Sequence, residues 1–442
     1  MNDFTLLLPV FKSKDERTIE CLTDVYEDIP FMKELISGLI NDNLKDDQIK
    51  NKRILLKPNW VNHSAGKNDD LCLRTNDNFL LAALEVILGK KPSKVIIGDA
   101  PIQGCLWDKM ITPAFRDKIN NLSAHYAIPV ELKDFRRRIF NPAKNNPVEE
   151  RRPLDEYIIF DLGKRSFLEP ISISGKNIFR VTNYNPDRLA DVHTAGIHKY
   201  CITKELFEAD VVISLPKIKT HQKAGITGAL KNLVGVNGDK DFLPHHRLGG
   251  TGFGGDCYPG KNYLRLWSEL SLDVANRNQG KLVYWIWIKI SSILWRMTKH
   301  TKVHHISAAW YGNDTTWRMV LDLNKIAVFG KADGTIAEEP QRMVFSLCDG
   351  IIGGQGNGPL KPEPLPLGVI CFSNHSAITD ISMAILMGFD FQKIPLLKEA
   401  YNLFDNLKVN LKYNGKSISF AELHQYLMHV LPAPGWIEYM KS

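Results

Sequence analysis

The chain lacks most of the features that would settle a function at sight. Its seven cysteines, at 21, 72, 105, 201, 257, 348 and 371, are odd in number and widely scattered. No two have the close spacing of a zinc knuckle, a redox pair or a ferredoxin cluster, so no built-in iron–sulfur cluster is expected. Reduced, mostly buried thiols in a cytoplasmic compartment follow. No Lys/Arg run is long enough for a nucleic-acid arm, although the net charge is +7 and the pI near 8.8. The densest basic cluster, Arg136–Arg138 with Arg151 and Arg152, lies beside Pro142 and Pro147 and reads as a solvated loop. Nucleic acid is therefore not expected as a partner. Internal repeats and low-complexity tracts are absent. The opening residues Met-Asn-Asp-Phe-Thr-Leu-Leu-Leu-Pro have no basic region and no long apolar region, so no secretory signal is expected.

What is present is an ordinary globular balance: 442 residues, 44% hydrophobic and 24% charged, enough for a large core. Short apolar runs alternate with longer amphipathic ones. Strands are predicted at 53–58, 94–98, 210–216, 345–353 and 366–373, and helices at 77–89, 262–278, 282–300, 315–326 and 375–388. This alternation predicts an α/β protein with mainly parallel sheets. The expected division is an α/β domain over 1–205 and a second over 206–442, with a helical insertion or lid at about 262–326. Residues 135–155, charged and Pro-containing, read as an excursion. Ligands of parallel sheets bind beyond the carboxyl ends of strands. That singles out Lys57-Pro58-Asn59 and Gly98-Asp99.

The densest polar stretch is 217–260. Lys217-Ile218-Lys219-Thr220-His221 follows a strand directly, and Gly225-Ile226-Thr227-Gly228-Ala229-Leu230-Lys231-Asn232 comes next. Glycines let backbone approach a ligand, amides at a helix start favour an anion, and lysines add charge. The segment is no Walker A loop, because the spacing is wrong and no Ser/Thr follows Lys231. Further on, five glycines fall within seven residues, between His245-His246 and Asp256, which predicts a loop. There His245 or His246 with Asp256 suits a divalent metal or an acid/base pair. Asp314 or Thr315 suits an N-cap, and Arg318 a bidentate anion clamp. Asp349 ends a strand before a Gly-Gly-Gln-Gly-Asn357 loop, an arrangement suited to a cation or hydroxyls. Asp380 suits either a cap or a ligand contact, and His304-His305 reads as surface or packing residues.

Lys57-Pro58-Asn59, Gly98-Asp99, Leu215–His221, Gly225–Asn232, Asp349–Pro359 and Ala377–Asp380 together resemble the domain-of-unknown-function 362 family. They run in order from about residue 53 to 400. The resemblance implies a shared site that includes Lys217, His221 and Lys231. Some relatives carry a ferredoxin-like segment whose cysteine spacing this chain lacks. A weaker likeness is to nickel-dependent lactate racemases: His221 and Lys231 stand ten residues apart with Gly225 and Gly228 between them. In those enzymes the lysine is tethered to a nickel-pincer nucleotide.

The expected site lies between the domains. His221, Lys231, His245 and His246 are its candidate catalytic residues, and Lys57, Asn59, Lys217, Lys219, Asn232, Arg318 and Asn357 its anion-binding residues. Asp99, Asp256 and Asp349 are candidate metal ligands. The reading is an enzyme acting on a small anionic substrate, a carboxylate or phosphorylated sugar, assisted by a divalent metal or a nucleotide. One alternative is a bacterial-type membrane-surface accessory protein in cell-envelope glycan assembly, peripheral on the inner face. It would be held there by 282–297, where three tryptophans and flanking lysines suit an interfacial helix. A core helix or a homodimer contact is the plainer reading of that segment. The other alternative is a redox partner protein, against which the cysteine spacing speaks.

Overall fold

The computed structural model describes residues 3–41, 43–66, 68–140, 148–298, 308–403 and 409–441. Pro142, Pro147, Lys299, Lys302, His304 and His305, all drawn into the sequence reading, lie outside these.

One twelve-stranded mixed sheet organises the chain. Its strands are β1 (Thr5–Pro9), β2 (Arg53–Pro58), β3 (Lys94–Asp99), β4 (Val130–Asp134), β5 (Val211–Leu215) and β6 (Lys217–His221). They continue with β7 (Gly225–Thr227), β8 (Met343–Asn357), β9 (Lys361–Leu365), β10 (Val369–Ser373), β11 (Leu411–Tyr413) and β12 (Lys416–Ser417). The order is β12-β11-β1-β10-β8-β5-β2-β3-β4, with the β6–β7 pair and β9 attached to β8. The run β8-β5-β2-β3-β4 is parallel throughout. The protein is α/β, as the strand–helix alternation predicts. The sheet has no seam at residue 205, however. β5 sits between β2 and β8, and β1 between β10 and β11, so strands from both sides of that position interleave. Alternation predicts parallel units but not which strands become neighbours.

Period-two alternation divides the core. Ile54, Leu56, Val95, Ile97, Val211 and Ile213 face α1 (Ile19–Glu27), α2 (Ile29–Asn41), α3 (Asp77–Gly89) and α4 (Pro113–Tyr126). Leu55, Ile96 and Val212 face the other layer. That layer holds the single-turn α5 (Ala229–Asn232) and, further along the chain, the helices of 316–329 and 376–386. Helix starts obey local chemistry: Asn76 accepts from the amides of Asn78 and Phe79 ahead of α3, and Thr112 from Phe115 ahead of α4, whose first residue is Pro113.

The helical insertion forms a hairpin of α6 (Tyr263–Arg277) and α7 (Leu282–Met297). α8 (Thr316–Phe329) and α9 (Ser376–Leu386) follow. Ser268 and Ser291 bind the two hairpin helices together by reciprocal hydroxyl-to-carbonyl bonds of 2.8 Å. No residue of α7 is buried, which overturns the core-helix reading of 282–297.

The solvated-loop reading of the arginine cluster is also overturned for all but Arg151, which is exposed. Arg136 is 1% exposed. It forks onto Asp134 at 2.6 Å and donates to the carbonyls of Ile102, Gln103 and Cys105. Arg137 pairs with Asp239 at 2.7 Å and with Glu150, and Arg152 with Glu205 at 2.7 Å. A charge run with acids nearby in the fold is buried as ion pairs, which charge counting along the chain cannot see.

Candidate functional site

The site grows from the carboxyl ends of β2, β3 and β5. Alternation puts Lys57 on the same face as Leu55, directed at α5. Its ammonium pairs with Asp99 at 2.7 Å and donates to the Pro58 carbonyl at 2.8 Å. Burial lowers the Lys57 pKa and Asp99 opposes that. Asp99 also accepts from the amides of Trp60 at 2.6 Å and Ala100 at 2.8 Å. Asn232 locks the strands together, donating to the Lys57 carbonyl at 2.8 Å and Ser214 Oγ at 2.9 Å. Its oxygen faces the Asn59 amide at 3.3 Å and the Lys57 ammonium at 3.4 Å. Gly235 lies so close that a Cβ there would overlap Asp99 Oδ1 and the Lys57 ammonium.

Around this base gathers a cluster of cations. Lys219, fully buried, donates to Asn59 Oδ1 at 3.1 Å and to the Leu73 carbonyl. Burial, with Lys231 adding repulsion, pushes it down to about 7. Lys231 is lowered to about 8 by burial and by Lys223, with Asp99 opposing. Lys223 is lowered to about 8 by burial. Lys240, which donates to the Ala100 carbonyl at 2.8 Å, is lowered to about 8 by burial against the pull of Asp99. Among the described residues neither Lys223 nor Lys231 has an ion-pair or hydrogen-bond partner for its ammonium, and both are half-buried.

Two histidines share the cluster with fixed tautomers. His221 Nδ1 accepts from the amides of Lys223 at 3.0 Å and Ala224 at 3.1 Å. Its proton therefore sits on Nε2. Burial, then Lys231, Lys223 and Lys219, hold it well below the usual histidine range. His245 Nδ1 faces the Leu243 carbonyl at 2.7 Å, so this nitrogen carries the proton and Nε2 is bare. Burial, then Lys223 and Lys231, lower His245 to about 3. At neutral pH one imidazole offers N–H and the other a lone pair.

The other candidates have different employment. Lys217 and Asp349, both fully buried, pair at 3.0 Å, with the Tyr26 hydroxyl 2.8 Å from the ammonium and 2.5 Å from the carboxylate. Asp256 accepts from the Arg247 amide at 2.5 Å, the Asp314 amide at 3.1 Å and Thr315 Oγ1 at 2.6 Å, which ties the glycine loop to the start of α8. Asp99, Asp256 and Asp349 thus each rest on protein groups, and the described residues contain no metal-holding group of three His, Cys, Asp or Glu. Arg318 is held by Asp314 and the Phe167 carbonyl and stacks on Trp317 at 4.3 Å, so it is a structural brace. Thr315 occupies the N-cap position of α8 without a side-chain cap bond of its own, and Asn313 accepts from the amides of Thr315 and Thr316. Asn357 is exposed at the end of β8, and His246 is buried with an unpartnered Nδ1 among the described residues. The amides at the start of α5 are already occupied: Asp380 accepts from Ala229 at 2.5 Å and Leu230 at 3.0 Å. Lys223, Lys240 and Asp380's cross-helix role escaped the sequence reading. The first sits at the tip of the β6–β7 hairpin, whose strands the sequence analysis does not predict.

Residues 168–384 match the model of a family described as Domain of unknown function (DUF362). Lys57, Asn59 and Asp99 lie outside that segment. No curated protein matches the chain. A crystal structure of a protein from Thermotoga maritima is similar over 87% of this chain, at 10% identity and a TM-score of 0.35, and this chain spans 60% of that protein's length. These matches give the likeness to nickel-dependent lactate racemases no support.

Proposed function

Since residues 168–384 belong to the DUF362 family, whose name states no function, we propose that the site at the carboxyl edge of the sheet binds a small anion, a carboxylate or a phosphoryl group. The observation that carries this is the set of unpartnered, half-buried ammoniums of Lys223 and Lys231 beside Lys219, Lys240 and two neutral histidines. Mutually repelling buried cations are costly unless an anion completes them. The anion rests on lysines rather than on a carboxylate-bound metal, because the candidate carboxylates are already engaged. A metal or nucleotide would then arrive as part of the substrate. His245, with Nε2 bare, is the proton acceptor, and His221 Nε2–H the donor to an oxygen on which negative charge develops. An anion bound between the lysines would offset the smaller part of the His245 depression, that from Lys223 and Lys231, and so raise it from the value that burial and the lysines together impose. The seven free thiols support a reducing, cytoplasmic setting.

Isothermal titration with inorganic phosphate tests the reading. Wild type should bind, and Lys231→Ala should bind at least about tenfold more weakly, a loss of about 1.4 kcal/mol, with an unchanged circular dichroism spectrum. Equal affinity in the two proteins, or no binding of phosphate or acetate by wild type, would sink it.

A further inference from the structure

The α6–α7 hairpin is built inside out. α6 buries Arg265, Ser268, Ser271, Asp273 and Asn276. Two of these polar groups are served inward: Arg180 grips Asp273 at 2.9 Å, and Ser268 meets Ser291. Outward it presents Tyr263, Trp267 and Leu270, 61%, 53% and 41% exposed. α7 adds Leu282, Trp285, Ile286, Ile293 and Met297 at successive turns, from 51% to 79% exposed. Polar-in, apolar-out is the reverse of what water selects for a surface helix.

Charge decides what covers this face. The exposed residues of the two helices include Lys289, Arg296 and Arg277, none of them acidic, and Lys281 flanks the start of α7; Arg277 is paired with the exposed Asp187 at 2.9 Å, so the positive charge of the face rests on Lys281, Lys289 and Arg296. The acids of α6 are turned inward, Asp273 onto Arg180 and Glu269 onto the Gly249 amide at 2.8 Å. No described helix is long and apolar enough to cross a membrane; at 1.5 Å per residue, the 16 residues of α7 reach only about 24 Å. Tryptophans, aliphatics and interspersed cations, with no acid among the exposed residues of either helix, match the interfacial region of an anionic bilayer.

We infer that the α6–α7 hairpin docks on an anionic membrane surface, laying Trp267, Trp285, Ile286 and Ile293 at the level of the headgroups with Lys289 and Arg296 against lipid phosphates. The inference is independent of the anion site. Co-sedimentation of the full chain with vesicles tests it, using phosphatidylcholine alone and phosphatidylcholine mixed with phosphatidylglycerol. Binding to the mixed vesicles should exceed that to phosphatidylcholine at least tenfold. It should fall at least tenfold in Trp285→Ser/Ile286→Ser/Ile293→Ser and in Lys289→Glu/Arg296→Glu. Both variants alter exposed side chains, so their melting temperatures should match wild type. A wild type that stays in solution with both vesicle types overturns the inference, as does a variant that binds as well as wild type. So does sedimentation equilibrium showing a dimer that the triple serine variant dissolves while vesicles bind neither protein, which would assign the face to a second copy.

Discussion

Gly235 shows how little room the residues at the base of the site have. A methyl group there would overlap Asp99 Oδ1 and the Lys57 ammonium, the one ion pair that anchors the cationic cluster. Both partners are almost wholly buried, so neither can swing into water. Gly235→Ala should therefore separate a buried pair or displace the chain after α5, at a cost of about 3 kcal/mol or more. Urea unfolding measures it; a change under about 1 kcal/mol would mean that the loop yields freely. Such tightness is invisible in the sequence, where Gly235 is one of several glycines in a polar stretch. Lys57, Asn59, Asp99, Lys219, His221, Lys231 and Asn232 were legible because they fall in short polar motifs just beyond predicted strands or between closely spaced glycines. Lys223 and Lys240 lie as near a glycine, two residues from Gly225 and Gly238, but are not singled out, because spacing along the chain does not show which of several lysines the fold gathers.

The single-turn α5 illustrates what an element can hide. Glycines, a helix start and a lysine suggested an anion held on backbone amides, and the amides do hold one, but it is the chain's own. Asp380 from α9 accepts from Ala229 and Leu230, and Gly228 leaves no space for a Cβ against Asp380 Oδ1. Burial raises Asp380 to about 7, with the two amides pulling the other way. Asp380→Asn keeps one acceptor but turns an NH₂ group toward an amide donor. It should cost about 1–3 kcal/mol in urea unfolding and loosen the β7–α5 turn; an equally stable variant would show that the carboxyl is already protonated and its cap neutral. Strands and long helices were legible because period-two and period-3.6 patterns are local. The β6–β7 hairpin was not, because its strands are short and fully buried and alternate nothing. The α6 and α7 spans were readable from the sequence, but their inverted orientation needed the partners of Asp273 and Ser268.

At the scale of the whole molecule, the cationic cluster should write itself into the pH dependence of folding. Lys219 is lowered to about 7 and Lys223, Lys231 and Lys240 to about 8, mainly by burial, from an ordinary value of 10.5. Between pH 7 and 8.5 the unfolded chain keeps these protons while the folded chain sheds some of them. Stability then rises with pH, since the unfolded state binds more protons. Carboxyls raised to about 7, such as Asp241 and Glu269, contribute the opposite slope mainly below that window. Buried thiols, raised from 9.0, oppose it from the upper end of the window onward. A bound dianion would restore the lysine protons, and so should both raise the melting temperature and flatten its climb. Low-millimolar sulfate is a suitable probe because it does not titrate in this range, and at about one hundred times its dissociation constant it should add about 2.7 kcal/mol. Melting curves at pH 7.0 and 8.5, with and without sulfate, give the answer. A rise with pH that sulfate abolishes places the anion among the lysines. A rise that persists unchanged means that the cluster tolerates its own repulsion and that no anion belongs there. In Lys231→Ala the climb should be shallower from the outset, because one of the displaced protons is gone.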